Sequence, residues 1–180
     1  MAESDDVQAK RQLCWNNALA AHGTGYIFER RASRLRLFTR ALTFSGIIVP
    51  ALIGVMATSF YQSKSVPDWC IHSATVVGAV QLILSIWALV AKWDDSLAHA
   101  LQSMQNNYDL QSRWETLARG TPNILEAQFD QLSREDAKQR ANDTKELVTD
   151  KERRQCMRAG LFKYLRECAG CDQVPNTNSP

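Results

Sequence analysis

A chain of 180 residues with 45% hydrophobic side chains has room for one domain with a sizeable core. The net charge of +2 is not concentrated anywhere: residues 1–40 carry seven basic and four acidic side chains, and residues 92–180 thirteen and fourteen. Neither arm offers the one-signed patch that a nucleic acid needs, and five cysteines, an odd number, argue against a disulfide framework.

Residues 3–21 read as a first helix, with Ser4 as N-cap and Asp5 and Asp6 in the turn where the helix dipole favours negative charge. Gly23-Thr24-Gly25 interrupts the pattern and is expected to act as a hinge. A second helix starts near Tyr26 and carries Arg30, Arg31, Arg34, Arg36 and Arg40 among apolar side chains, as expected of an interfacial helix whose arginines snorkel to headgroups.

Two uncharged stretches follow. Between Arg40 and Lys64 the only ionisable side chain is Tyr61, and from near Trp69 to Lys92 the only basic one is His72. At ~1.5 Å rise per residue, about 20 residues cross a hydrocarbon core of roughly 30 Å. The helix of a soluble bundle keeps a polar stripe, whereas residues 46–57 contain no hydrogen-bonding or charged side chain. The expected fold is therefore an all-α membrane protein. It comprises N-terminal helices (1–40), a two-span hairpin (41–91, spans about 41–61 and 70–91), a helical region (92–160) and a cysteine-containing flexible tail (161–180).

The arginines before the first span outnumber the lone Lys64 of the connecting loop, which places both termini in the cytoplasm and the loop outside. The first stretch lies too far in, and is too long, for a cleavable signal. Cys14, Cys156, Cys168 and Cys171 then fall on the reducing side. Within the spans, Gly46, Pro50, Gly54 and Thr58 form one strip of small side chains, and Ala74, Gly78, Gln81, Ser85 and Ala88 another. Such strips permit close helix packing in lipid, or else line a water path. Pro50 should bend its helix, His72 should sit at the outer interface, and the Gln81 amide needs a partner.

Beyond Lys92 a long helix is expected, with Leu97, Leu101, Met104, Tyr108, Trp114 and Leu117 along a narrow seam suited to holding copies together. Gly120 ends it, and Thr121-Pro122 restarts a polar helix that Asn142-Asp143 interrupts. The tail from Asp172 reads as disordered. The three histidines are isolated in sequence, and phosphate loops, nucleophile elbows and catalytic clusters are absent, so no enzyme activity and no cofactor are expected. Cys156, Cys168 and Cys171 form C-x11-C-x2-C, weak metal candidates because structural zinc takes four ligands.

The order of an Arg-rich amphipathic helix, a short-looped hairpin and a long helix resembles the SLATT family, prokaryotic two-span proteins of antiviral conflict systems. The resemblance spans about residues 25–160 and rests on Tyr26, Arg30-Arg31-Ala32, Trp93, Trp114 and Leu117. The tail is similar to that of bacterial proteins with a second cysteine pair, which this sequence does not show after Cys171. Membership implies a bacterial inner-membrane effector that oligomerises into a pore and depolarises the cell. A cytosolic sensor or nucleotide-signalling partner would trigger it. One hairpin encloses no water path, so a pore requires a homo-oligomer in the lipid bilayer. The alternative reading is a non-conducting scaffold that anchors a cytosolic partner.

Overall fold

The computed structural model describes the chain over residues 2–61 and 68–177, with side chains over 5–55, 68–69 and 71–177. The elements there are all helical: α1 (Ala2–Tyr61), α2 (Asp68–Val90), α3 (Trp93–Arg119), α4 (Pro122–Asp143) and α5 (Asp150–Tyr164). They divide into one unit of residues 1–31 and 99–180 and a second of residues 32–98. Thr58 and Lys64 lie outside the described side chains.

In the first unit the core follows from helical spacing. Cys14, Ala18 and Ala21 on α1 meet Leu110, Trp114, Leu117 and Ala118 on α3 and Leu125 and Leu132 on α4. Steps of three and four put each set on one face. Trp114 is fully buried and meets Phe129 edge to face with 5.7 Å between ring centroids. The seam expected to join copies is thus partly spent inside the chain. Trp114 and Leu117 are core, and Tyr108 lies against Gly25 and donates from its hydroxyl to Glu29 at 2.5 Å. Of that stripe only Trp114 and Leu117 are buried, against α1 and α4 of the same chain, while Leu97, Leu101, Met104 and Tyr108 are half-buried beside the buried face of Ala100, Ser103, Asn107 and Leu110.

The hinge at Gly23 and Gly25 is also corrected: α1 runs through both glycines as helix. A Cβ at Gly23 would lie 2.5 Å from Cys156 Sγ and 2.8 Å from Cys156 O, and one at Gly25 would lie 2.9 Å from the Tyr108 ring. On α5, Gly160 answers in kind, since a Cβ there would lie 2.9 Å from Leu19 Cδ2 and 3.1 Å from Leu19 O. The glycines let the α1 and α5 backbones approach closely. Tertiary contact outweighs their poor helix propensity of roughly 1 kcal/mol each.

Polar groups cross the same interior. His22 Nδ1 lies 3.0 Å from Gln111 Oε1, Gln111 Nε2 donates to Glu115 at 2.7 Å, and the Tyr164 hydroxyl donates to the same carboxylate oxygen at 2.7 Å. Asn107, buried on α3, donates to Asp143 at 2.8 Å, where α4 ends. Thr149 opens α5 with a capping box to Glu152. Gly120 and Thr121 separate α3 from α4 and Pro122 opens α4, as expected, although the Thr121 side chain makes no cap bond. The tail read as disordered is tied to α5 by Arg158, which donates to the Thr177 carbonyl at 3.0 Å.

Two outcomes follow. Gly23→Ala or Gly160→Ala destabilises the fold by about 1–3 kcal/mol in urea titration, because the crossing must open. A hinge would give the opposite sign, since alanine favours helix by about 0.5–1 kcal/mol. His22 supplies a pH dependence. Burial first, and Lys163 second, hold its pKa below the usual 6.5, against weaker raising by Gln111, Glu115 and Glu29. Below 6.5 the unfolded chain binds a proton that the folded chain refuses. Stability is therefore intact above that value and declines as pH falls from it toward the folded pKa. His22→Gln should flatten the fall in urea midpoint between about pH 7.5 and 5.5.

Candidate functional site

Two regions carry the sequence-derived candidates. The first is the apolar pair formed by α2 and the 32–61 part of α1. Both helices are long and apolar enough to cross a membrane, and no residue of either apolar window is buried. Their hydroxyls are turned inward: Thr43, Thr75 and Ser85 each donate to the carbonyl four residues earlier, at 2.8–2.9 Å. Such back-bonding hides polar groups that a nonpolar medium would not solvate. Gln81 is half-buried, with its amide nitrogen 3.5 Å from where a Cβ at Gly46 would stand. Among the described residues nothing lies within 4 Å of a Cβ built at Gly54 or Gly78, and Pro50 and Ser85 are exposed. One end of the small-residue strips is therefore packed within the hairpin, and the rest is open. A pocket of about 210 Å³ lies nearby, between Thr39, Leu42, Thr43, Ser85, Leu89 and Trp93.

The cations expected at an interface part company. Arg34, Arg36, Arg40 and His72 are exposed, and Arg30 lies over the Tyr26 ring at 5.7 Å. Arg31 is instead consumed by ion pairs. Its Nε and Nη2 donate to the two Glu152 oxygens at 2.8 Å, Nη1 donates to Glu146 at 2.9 Å, and Nη2 also donates to the Leu147 carbonyl at 2.7 Å. Arg31, with help from Thr149, holds Glu152 down to about 2. This fork-to-fork pair clamps the α4–α5 connection onto α1. Nothing in the charge pattern alone distinguishes Arg31 from its neighbours. The Thr149-x-x-Glu152 capping signature, by contrast, stands in the sequence and marks the start of α5.

The second region is the cysteine turn. α5 ends on Leu165 in the left-handed region (φ 50°), which redirects the chain. The chain then folds back on itself: the N–H groups of Cys171 and Asp172 donate to the Cys168 carbonyl at 3.2 and 2.8 Å, and the Cys168 N–H donates to the Gln173 carbonyl at 3.0 Å. Asp172, also left-handed (φ 51°), completes the reversal. The nearby Gly170 N–H first, then the Cys171 thiol and N–H, hold the Cys168 pKa below its ordinary value. Cys171 is exposed, and Cys168 borders a groove of about 580 Å³ that Lys151, Arg154, Met157 and Arg158 also line.

Cys156 does not join them. It faces α1 at Gly23, and burial pushes its thiol up to about 11, as it does for Cys14. Among the described residues no cluster of three or more His, Cys, Asp or Glu side chains is placed to hold a metal ion. The C-x11-C-x2-C series thus supplies two gathered thiols and one diverted thiol. Among the described residues these thiols do not make the four-ligand set of a closed zinc site. Reactivity should follow the same division: with chelator present near pH 7.5, Cys168 alkylates at least about tenfold faster than Cys14 or Cys156. Peptide mass spectrometry reads the order, and equal rates would contradict it.

Comparison with known proteins agrees with the register of these cysteines. No curated protein and no solved structure matches the chain. A family model described as Mobilome CxxCx(11)CxxC protein matches residues 11–180. Cys156, eleven residues and Cys168-Ala169-Gly170-Cys171 reproduce the last three cysteines of that pattern, and Arg153 stands at the place of the first. The missing partner of the pattern therefore lies before Cys156 and not after Cys171, where the tail resemblance had sought it. The chain belongs to the family of mobilome CxxCx(11)CxxC proteins.

Proposed function

We propose that this chain is a two-span protein of the bacterial inner membrane with both termini cytoplasmic. Copies of it associate into a pore that depolarises the membrane in an antiphage response. The observation that carries this reading is the apolar pair itself: its large side chains are exposed, and among the described residues nothing lies within 4 Å of a Cβ built at Gly54 or Gly78. In lipid, small-residue faces are where helices of neighbouring copies approach. Gln81 and Ser85, on the Gly78 face, then supply the polar groups nearest to a water path. The family's mobilome description and the likeness to SLATT proteins support a role in genetic conflict. The folded unit of residues 1–31 and 99–180 is the part available to a cytosolic sensor or nucleotide-signalling partner. No enzymatic step is assigned to it.

A scaffold without conduction is the second reading, favoured by the approach of the Gln81 amide to Gly46 inside the hairpin. The two separate on one substitution. If the chain conducts, regulated expression collapses the potential-dependent dye signal of cells, and Gln81→Leu at equal membrane level weakens the effect about tenfold, since a polar pore lining is lost. If it is a scaffold, wild-type expression leaves the potential intact and Gln81→Leu is silent.

A further inference from the structure

A cationic groove of about 580 Å³ runs beside α5, lined by Lys151, Arg154, Arg158, Met157, Leu161 and Cys168. Among the described residues its charged side chains are all basic. Arg158 donates to the carbonyl and hydroxyl of Thr177 at 3.0 and 3.1 Å, whereas Lys151 and Arg154 are exposed. Cys171 stands at the other end of the turn that Cys168 opens. Its N–H donates to the Cys168 carbonyl at 3.2 Å, and a bond of that spacing closes a turn whose end Cα atoms lie within about 7 Å. Two cysteines are bridged when their Cα atoms stand about 4.4–6.8 Å apart, so the backbone alone brings this pair to bridging range. The Asp172 N–H on the same carbonyl, at 2.8 Å, and the Cys168 N–H on the Gln173 carbonyl, at 3.0 Å, pin the reversal. Both thiols are free and at least partly accessible, while Cys14 is fully buried and Cys156 packs against Gly23.

We infer that Cys168 and Cys171 form a thiol-exchange site for an anionic small disulfide of the glutathione class, which the groove beside α5 receives. Glutathione disulfide is a net anion with carboxylates at its ends, complementary to Lys151 and Arg154, and its size suits a groove rather than a closed pocket. Reactive cysteines sit in electropositive, partly exposed surroundings of this kind. Cys168 takes the first step because it borders the groove. Its sulfur, having lost its proton, attacks one sulfur of the bound disulfide. That S–S bond breaks, a mixed disulfide forms on Cys168, and the first small thiol leaves with the proton. Cys171 then gives up its own proton and attacks the Cys168 sulfur. The second small thiol leaves with that proton, and a Cys168–Cys171 disulfide remains. An electron pair passes from the protein to the small disulfide, and no proton is gained or lost overall. In a reducing compartment the pair rests as thiols and closes when the disulfide accumulates. The site lies wholly within the unit of residues 1–31 and 99–180, so it is independent of the pore and scaffold readings.

The test uses the purified full chain, in detergent if required, reduced, freed of reductant and mixed with excess glutathione disulfide and chelator near pH 7.5. Peptide mass spectrometry should find a Cys168–Cys171 disulfide, with Cys14 and Cys156 left as thiols. Cys171→Ser should stop at a mixed disulfide on Cys168, and Cys168→Ser should slow capture at Cys171 by about tenfold or more. Reversing the two exposed cations together, Lys151→Glu with Arg154→Glu, should slow the reaction with glutathione disulfide about tenfold. The same change should alter the rate with neutral 2-hydroxyethyl disulfide by about twofold at most. Should that variant not fold, added salt applied to the wild type decides, slowing the anionic disulfide by about fivefold and the neutral one by no more than about twofold. Dithiols that persist under excess glutathione disulfide, equal slowing of both disulfides, or glutathione on Cys14 or Cys156 ahead of Cys168 would each overturn the inference.

Discussion

Among the described residues, eighteen large apolar side chains between Phe44 and Val90 are exposed, among them Leu89 at 81% and Val90 at 71%. Covering each is worth about 1.5–3 kcal/mol, so together they represent tens of kcal/mol, against a net folding stability of about 5–15 kcal/mol for an ordinary domain. A surface of that kind is not left in water. It must be covered by lipid, by copies of itself or by a partner, and the hydroxyls bonded back onto their own helices suit the first of these. The pore and scaffold readings both inherit this constraint.

The other unit is built by the opposite logic, with burial inside the chain. A tryptophan-centred core joins α1, α3 and α4, and paired glycines bring α5 onto α1. The Arg31–Glu152 fork and the capping box at Thr149 then fix where α5 begins. That placement turns Cys156 inward while the turn after Leu165 leaves Cys168 and Cys171 outward. The crossing of two helices thus decides which cysteines are packing residues and which are ligand candidates.

How much of this was legible in the sequence depends on whether the signal was local. The helix boundary at Gly120-Thr121-Pro122 and the α4 stop near Asn142-Asp143 were readable, because capping chemistry is written in adjacent residues. The stripe through Trp114 and Leu117 was readable as periodicity, but its partner was not, since α1 lies some ninety residues away in sequence. Gly23 and Gly25 misled for the same reason: glycine serves a bend and a close approach equally well, and only the facing Cys156 and Tyr108 distinguish them. The spacing of the three cysteines was exact on the page. Which of them converge was not, because that depends on the α1–α5 contact.

The claim on which the functional account leans most is that a bilayer surrounds residues 41–61 and 70–91. Membranes from cells expressing the full chain, washed in alkaline carbonate and sedimented, test it most directly. The account predicts that the chain stays in the pellet and leaves it only with detergent. Release into the carbonate supernatant as a dispersed, folded protein would contradict it.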